Sequence, residues 1–212
     1  MEPGTSLSRQ LTKVLVTGAS GYVGHFVVDA LLRHGVFFVY GTRNRQSAGA
    51  VPTTARSVSL TMDGTDPKSV AAAVKTSQPD VVINCMAIPY PAACEKDPAA
   101  AEKLNVPTPL VDAMQEFCPE ALLVHLSTDM VYGSNTDAPH AESAECKPVN
   151  VYGSTKLQGE NLIRERWPNH IILRSSAIYG PVPTDRACSK SSTFLQMVRH
   201  TRSAHAGHQN RL

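Results

Sequence analysis

Tyr152 and Lys156 stand four residues apart in the run V-Y-G-S-T-K-L-Q-G-E, residues 151–160. On a helix that spacing puts both side chains on one face. A phenol gives up its proton poorly near neutrality, because its ordinary pKa is about 10. A cation close by favours the phenolate and makes the group a usable acid–base catalyst. Upstream, Ser127 and Thr128 end an apolar run, where a hydroxyl reaches the same place if that run is a strand. A second feature lies near the start, K-V-L-V-T-G-A-S-G-Y-V-G over residues 13–24. Val14, Leu15 and Val16 read as a strand buried on both faces. Gly18, Gly21 and Gly24 follow, and then an amphipathic helix over residues 22–33. Glycines at a strand-to-helix turn let the backbone approach a pyrophosphate, whose charge the helix N-terminus stabilises.

These groups meet only if the chain places them at one edge of a sheet. Apolar runs predict strands over residues 14–16, 36–42, 56–62, 80–84, 121–127 and 170–174. Helices are expected over 67–76, capped by Asp66 with Pro67 in its first turn, and over 151–166. Residues 99–117 read as helical, with Pro107 and Pro109 kinking the helix or marking a fresh start. Residues 85–98 read as a loop. Strands alternating with helices predict an α/β fold, a doubly wound parallel sheet of the Rossmann type. Ligands of such sheets sit beyond the carboxyl ends of the strands, so Thr17, Arg43, Asp63, Asn84, Ser127 and Arg174 are expected around one cleft. The turn from Asn84 to Ala87 opens on that cleft, and both residues count among the cofactor contacts.

The second strand end bears on cofactor choice. A fold that prefers NAD carries an acid about 20 residues past the glycine turn, on the adenosine ribose. Here residues 41–45 read G-T-R-N-R. A guanidinium at Arg43 suits a 2′-phosphate, which points to NADP.

The 212 residues suit one α/β domain and part of a second, and a formal charge of +2 suggests no polyanionic partner. From Arg186 onward there are five Arg or Lys and no Asp or Glu, so the body is mildly acidic and the tail basic. The expected organisation is an extension over 1–12, a nucleotide-binding domain over 13–183 and a basic, unstructured tail over 184–212. Five cysteines without a C-x-x-C pair speak against a structural zinc or a disulfide framework and for a reducing, cytoplasmic setting. No signal peptide and no membrane-spanning run is read. Gly207 between His205 and His208, with no acid nearby, speaks against a metal site in the tail. His125, inside the fifth strand, reads as a satisfied core residue rather than a catalyst.

The chain resembles the extended short-chain dehydrogenase/reductases, and within them the branch of the dTDP-4-dehydrorhamnose reductases and the regulatory beta subunit of methionine adenosyltransferase. The residues that carry this are T-G-A-S-G-Y-V-G, L-N-V (104–106), L-S-T-D-M-V-Y-G (126–133), V-Y-G-S-T-K-L-Q-G-E (151–160) and L-R-S-S-A-I-Y-G (173–180), within residues 13–183. The resemblance implies that Tyr152 gives a proton to a carbonyl oxygen as hydride arrives, and that Thr128 orients that carbonyl. It implies that Lys156 holds the nicotinamide ribose and lowers the Tyr152 pKa, and that Asn105 supports a proton relay. Ser20, Tyr22 and Val23 line the pyrophosphate, Asp63 contacts the adenine, and Arg43 meets the 2′-phosphate. Met130 stands where the reductases usually carry an aromatic residue, and where 4,6-dehydratases need the second acid of a pair. Epimerases of the superfamily keep NAD, which Arg43 disfavours.

The expected function is NADPH-dependent reduction of a 4-keto nucleotide sugar. The family's second, substrate-binding lobe is largely missing from this reading, which is expected to cost activity and suggests a truncated chain. The alternative is an NADP-holding regulatory subunit that partners a methionine adenosyltransferase catalytic subunit. Neither nucleic acid nor membrane is an expected partner.

Overall fold

Val14, Leu15 and Val16 are buried to within 1 % of their surface, because the strand they form lies in the middle of a sheet covered on both faces. The computed structural model describes residues 10–46, 51, 53–133 and 139–181. The expected basic tail over 184–212 and most of the N-terminal extension lie outside the described residues.

The elements are β1 (Thr12–Thr17), α1 (Tyr22–His34), β2 (Phe37–Arg43), β3 (Ser57–Thr61), α2 (Pro67–Ser77), β4 (Val81–Asn84), α3 (Pro91–Lys96), α4 (Pro98–Asn105), α5 (Thr108–Phe117), β5 (Leu122–Thr128), α6 (Val151–Arg166) and β6 (His170–Ser175). A 3-10 turn, Asp129–Val131, follows β5. The six described strands pair in the order β3-β2-β1-β4-β5-β6, every pairing parallel. The order reverses between β1 and β4, which puts the crevice of a doubly wound sheet at the ends of those two strands.

Alternate residues of each strand feed two cores. Leu15, Val82 and Leu123 pack with Val70 and Val74 of α2, Leu110 and Met114 of α5, and Ile163 of α6. Val14, Val16 and Val39 pack with Val28 of α1. No described helix is long and apolar enough to cross a membrane.

The expected elements are present, with strand ends moved by one or two residues. The helix expected over 99–117 is two helices. Pro107 has no N–H to continue α4, and Pro109 opens α5 in its first turn. The loop expected over 85–98 contains α3, started by Pro91 and ended before Asp97. Asp97 then caps α4, its side chain accepting from the Ala100 N–H at 3.0 Å. With only six residues, α3 has too few positions to show a helical period.

One buried cluster fixes α6 against the strand ends. Glu160 is fully buried; Ser127 Oγ donates to its Oε1 at 2.5 Å. Arg174 donates to both its oxygens, the shortest contact being 2.7 Å from Nη2 to Oε2, and Arg164 adds a bond at 2.9 Å. Arg174 also donates to Tyr132 Oη at 2.7 Å and lies over that ring, which stacks on His140. Burial alone pushes the Glu160 carboxyl up. The hydrogen bonds from Arg174 and Ser127, with the charges of Arg174 and Arg164, outweigh it and hold the group below its ordinary 4.5. A carboxyl lowered by folding contributes stability that is present above its unfolded pKa and fades as pH falls through its folded value. Glu160→Gln leaves Arg174 without its counter-charge and is expected to cost about 3–5 kcal/mol at neutral pH. The gap to wild type is expected to narrow as the solution is acidified below 4.5. Urea denaturation across a pH series checks this, and a gap that does not change with pH counts against it.

Candidate functional site

Gly18 follows β1 with φ +67°, in the left-handed region, and a Cβ there would lie 3.0 Å from Met86 Cα and N. At Gly24 a Cβ would lie 2.3 Å from the Gly18 carbonyl oxygen. Conformation demands glycine at the first position and space demands it at the second. The Gly21 N–H donates to Gly18 O at 2.9 Å, and the Gly18 N–H donates to Thr42 Oγ1 at 3.1 Å, so the turn is braced from β2. Gly21 is the N-cap of α1 and offers no side-chain cap, and the first turn holds no acid. The N–H groups of Tyr22, Val23 and Gly24 therefore begin the helix without intrahelical partners, as an anion seat requires. Ser20 is buried beside them. The Tyr22 hydroxyl donates to Pro181 O at 3.0 Å and ties the segment after β6 across the same corner.

The rim is set by β2 and β3. Arg43 closes β2, and its carbonyl accepts from the Met62 N–H at 2.9 Å. That bond holds Asp63 beside Arg43 at the carboxyl edge. Asp63 Oδ1 accepts from the Thr65 N–H at 2.9 Å and Thr65 Oγ1 at 2.8 Å, which lower its pKa. These are the positions assigned to the 2′-phosphate and the adenine.

On the other side of the switch point, Thr128 ends β5 nearly buried, and its Oγ1 accepts from the Met130 N–H at 3.2 Å. The Thr128 hydroxyl donates to Asp129 Oδ1 at 3.2 Å and is near enough to Tyr152 to act on its phenol. Asn150 starts α6 by accepting from the Gly153 N–H at 2.7 Å, which sets Tyr152 and Lys156 on the helix face turned to β5. The expectation that Lys156 lowers the Tyr152 pKa meets the opposite sign here. Burial, then Cys94 and Asp129, push the phenol above 10, and the Thr128 hydroxyl only partly offsets them. Lys156 is engaged elsewhere: its Nζ lies 3.0 Å from His125 Nε2. Burial lowers its pKa to about 8, with Glu160 acting in the other direction.

Asn105 is buried at the end of α4. Its Oδ1 accepts from the Ile88 N–H at 2.7 Å, and its Nδ2 donates to Thr155 Oγ1 at 3.0 Å. The amide thus locks the segment after β4 to α6, and neither of these bonds goes to Tyr152 or Lys156.

Asn84 ends β4, and the backbone between it and Ala87 packs on Gly18. Asn84 does more than line the crevice. Thr17 pairs in register with Asn84, and Asn84 with His125, across three neighbouring strands. Thr17 Oγ1 donates to Asn84 Oδ1 at 2.6 Å, and Asn84 Nδ2 lies 3.0 Å from His125 Nδ1. Burial holds the His125 pKa well below 6.5, so its ring is neutral, and a charge on Lys156 lowers it further. His125, read from sequence as a core residue only, is both buried and the direct partner of Lys156. Glu160 and Arg174 were also missed as a pair. The signal available was their presence in the two C-terminal motifs, but nothing in the spacing says that they meet. A groove of about 450 Å³ between α3, α4 and the start of α6, lined by Glu95, Glu102, Val149 and Ser154 among others, contains none of the expected site residues.

Comparison with known proteins shows the family and the fold. The chain is 32% identical over 168 residues to the dTDP-4-dehydrorhamnose reductase of Salmonella typhimurium, covering 78% of this chain and 51% of that one. It is 28% identical over 196 residues to the methionine adenosyltransferase 2 subunit beta of Bos taurus, covering 92% and 56%. The chain thus spans about half the length of the curated relatives it matches. The crystal structure of dTDP-4-dehydrorhamnose reductase from Bacillus anthracis, in complex with NADP, superposes with a TM-score of 0.71 at 23% identity, over 91% of this chain and 61% of that one. The fold is therefore that of the Rossmann-type reductases. The family model for the RmlD substrate binding domain matches residues 12–205, past the point at which the recognisable motifs stop, and the chain belongs to that family.

Proposed function

We propose that this chain binds NADP(H) and carries the proton-donor half of a reductase acting on a 4-keto nucleotide sugar. The observation that supports this most directly is the placement of Tyr152 on α6 next to the Thr128 hydroxyl at the carboxyl edge of β5, on the sheet edge that the glycine turn also opens. The residues fit the cofactor: the uncapped start of α1 suits a pyrophosphate, Gly18 and Gly24 allow its close approach, and Arg43 suits a 2′-phosphate. NADPH supplies the hydride in such a reaction. Tyr152, still protonated at neutral pH, gives its proton to the carbonyl oxygen, and Thr128 hydrogen-bonds that oxygen to orient it. Lys156 in its charged form stabilises the phenolate left behind. Tyr22 and Val23 contribute backbone N–H groups, Ser20 the wall beside them, and Asp63 the adenine edge. The named reductase relatives and the NADP held by the Bacillus anthracis enzyme support this reading. Unpaired Cys85, Cys94, Cys118 and Cys146 suit a reducing compartment such as the cytoplasm.

A second reading has one specific support. The match to the methionine adenosyltransferase beta subunit covers 92% of this chain, against 78% for the Salmonella reductase. In that reading the nucleotide site serves to hold a subunit that partners a methionine adenosyltransferase. Co-purification with such an enzyme, without turnover of a keto sugar nucleotide, distinguishes it.

Calorimetric titration of the chain with NADPH and NADH tests the cofactor assignment, and tighter binding of NADPH is expected. Arg43→Asp is expected to reduce that preference about tenfold or more, through loss of a charge-assisted contact; an unchanged ratio removes Arg43 from the site. Tyr152→Phe is expected to lower any reduction of dTDP-4-dehydrorhamnose at least about 100-fold while leaving NADPH affinity nearly as it was, since general acid–base catalysis is worth 10²–10⁴. Turnover equal to wild type would refute Tyr152 as proton donor.

A further inference from the structure

The hydrogen bonds that run from the β4 turn to α6 have a direction. The Met86 backbone N–H can only donate, and it gives its proton to Asn84 Oδ1 at 3.2 Å. The same oxygen accepts from Thr17 Oγ1 at 2.6 Å. This fixes which end of the Asn84 amide is oxygen, and its Nδ2 must then donate to His125 Nδ1 at 3.0 Å. A neutral imidazole with an accepting Nδ1 carries its proton on Nε2. That N–H points at Lys156 Nζ, 3.0 Å away. An ammonium has no lone pair to accept it. The chain of donors therefore ends correctly only on an amine.

We propose that His125 is a positioning residue that holds Lys156 as an uncharged amine at the base of the crevice, and that proton uptake by Lys156 breaks this hold and frees the side chain toward Tyr152. When Lys156 takes a proton, the lone pair that accepted the His125 N–H becomes an N–H bond. Two donors then face each other in a site where His125 is fully buried and Lys156 almost so. The imidazole loses its acceptor, and the ammonium must turn to another. The groups around Lys156 are few. Glu160, on its own helix, favours the charge and is itself held by Arg174 and Arg164. Cys85, on the β4 side, is pushed up to about 12 by burial and stays a thiol. His125 faces it from β5, and Tyr152 stands one turn back on α6. The release of Lys156 matters to catalysis only if the reductase reading holds, but the proton positions can be read without it.

The test uses the whole chain with nitrogen-labelled histidine and carbon-labelled lysine, observed by NMR. The wild-type His125 ring is expected to carry its proton on Nε2, with Nδ1 bare, when Lys156 is neutral; a proton on Nδ1 under those conditions overturns the proposal. Lys156, assigned by the loss of its signal in Lys156→Met, is expected to titrate at or below about 8. In His125→Leu its midpoint is expected to rise by about one unit, a tenfold change in the ratio of charged to neutral form. An unchanged midpoint overturns the proposal. Should His125→Leu fail to fold, the ring-nitrogen signals of the wild-type chain decide alone. NADPH titration by calorimetry, run in parallel, reports separately on the cofactor reading.

Discussion

A lysine amine buried to 2 % exposure is the constraint on which the rest of this site depends. A charge taken out of water is costly unless it is paired or neutralised. Both remedies are built around Lys156. Glu160, one turn along α6, supplies a negative charge that is itself fixed by two arginines and a serine. His125 supplies a neutral partner on β5 that takes the amine form. The two act in opposite directions on one proton. Lys156 is therefore poised where a modest change in its surroundings decides its charge, and a group that works by tuning a neighbouring phenol needs that property.

The parallel sheet makes such an arrangement possible. Register places Thr17, Asn84 and His125 side by side on β1, β4 and β5, although they are far apart in sequence. β1 leads into the phosphate turn and β5 leads to Thr128, so the hydrogen bonds across the three strand ends join the cofactor corner to the proton-donor helix. Asn84 is the link between the halves. Its oxygen accepts from Thr17 and from the Met86 N–H, whose backbone packs on Gly18, and its nitrogen serves His125. A shift in the glycine turn would therefore be felt at Lys156 through a single side chain, without any large movement of the sheet.

Much of this was legible in the residues. The strands show because runs such as Val14–Val16 are buried on both faces and so lack polar interruptions. The Tyr152–Lys156 helix shows because its stop, Trp167-Pro168, is a local feature, whereas its Asn150 cap was not read from the sequence. Local signals failed where partners are distant. The pairings of Glu160 with Arg174 and of His125 with Lys156 are consequences of how β5, β6 and α6 pack, and no periodicity encodes them. Asn105 shows the same limit from the other side: its motif suggested a relay but did not tell that its amide bonds Ile88 and Thr155. The sign of the Tyr152 shift also escaped, because four-residue spacing puts Lys156 on the right face without saying which neighbour its nitrogen will meet.

That sign has a mechanistic reading. With Lys156 turned to His125, the phenol sits beside Cys94 and Asp129, and its pKa stands above the ordinary value, so the proton is retained. A retained proton is the correct resting state for a donor, but an unassisted phenolate would be a poor product in this setting. The missing cation is Lys156 itself. Once protonated it can no longer accept from His125, and the same event that ends that bond provides the charge that stabilises phenolate. The opposing influences on Lys156 thus need not be read as a compromise of packing. Above about pH 8, where Lys156 is neutral, they keep the proton on Tyr152, and they tie the acidity of the donor to the position of one side chain.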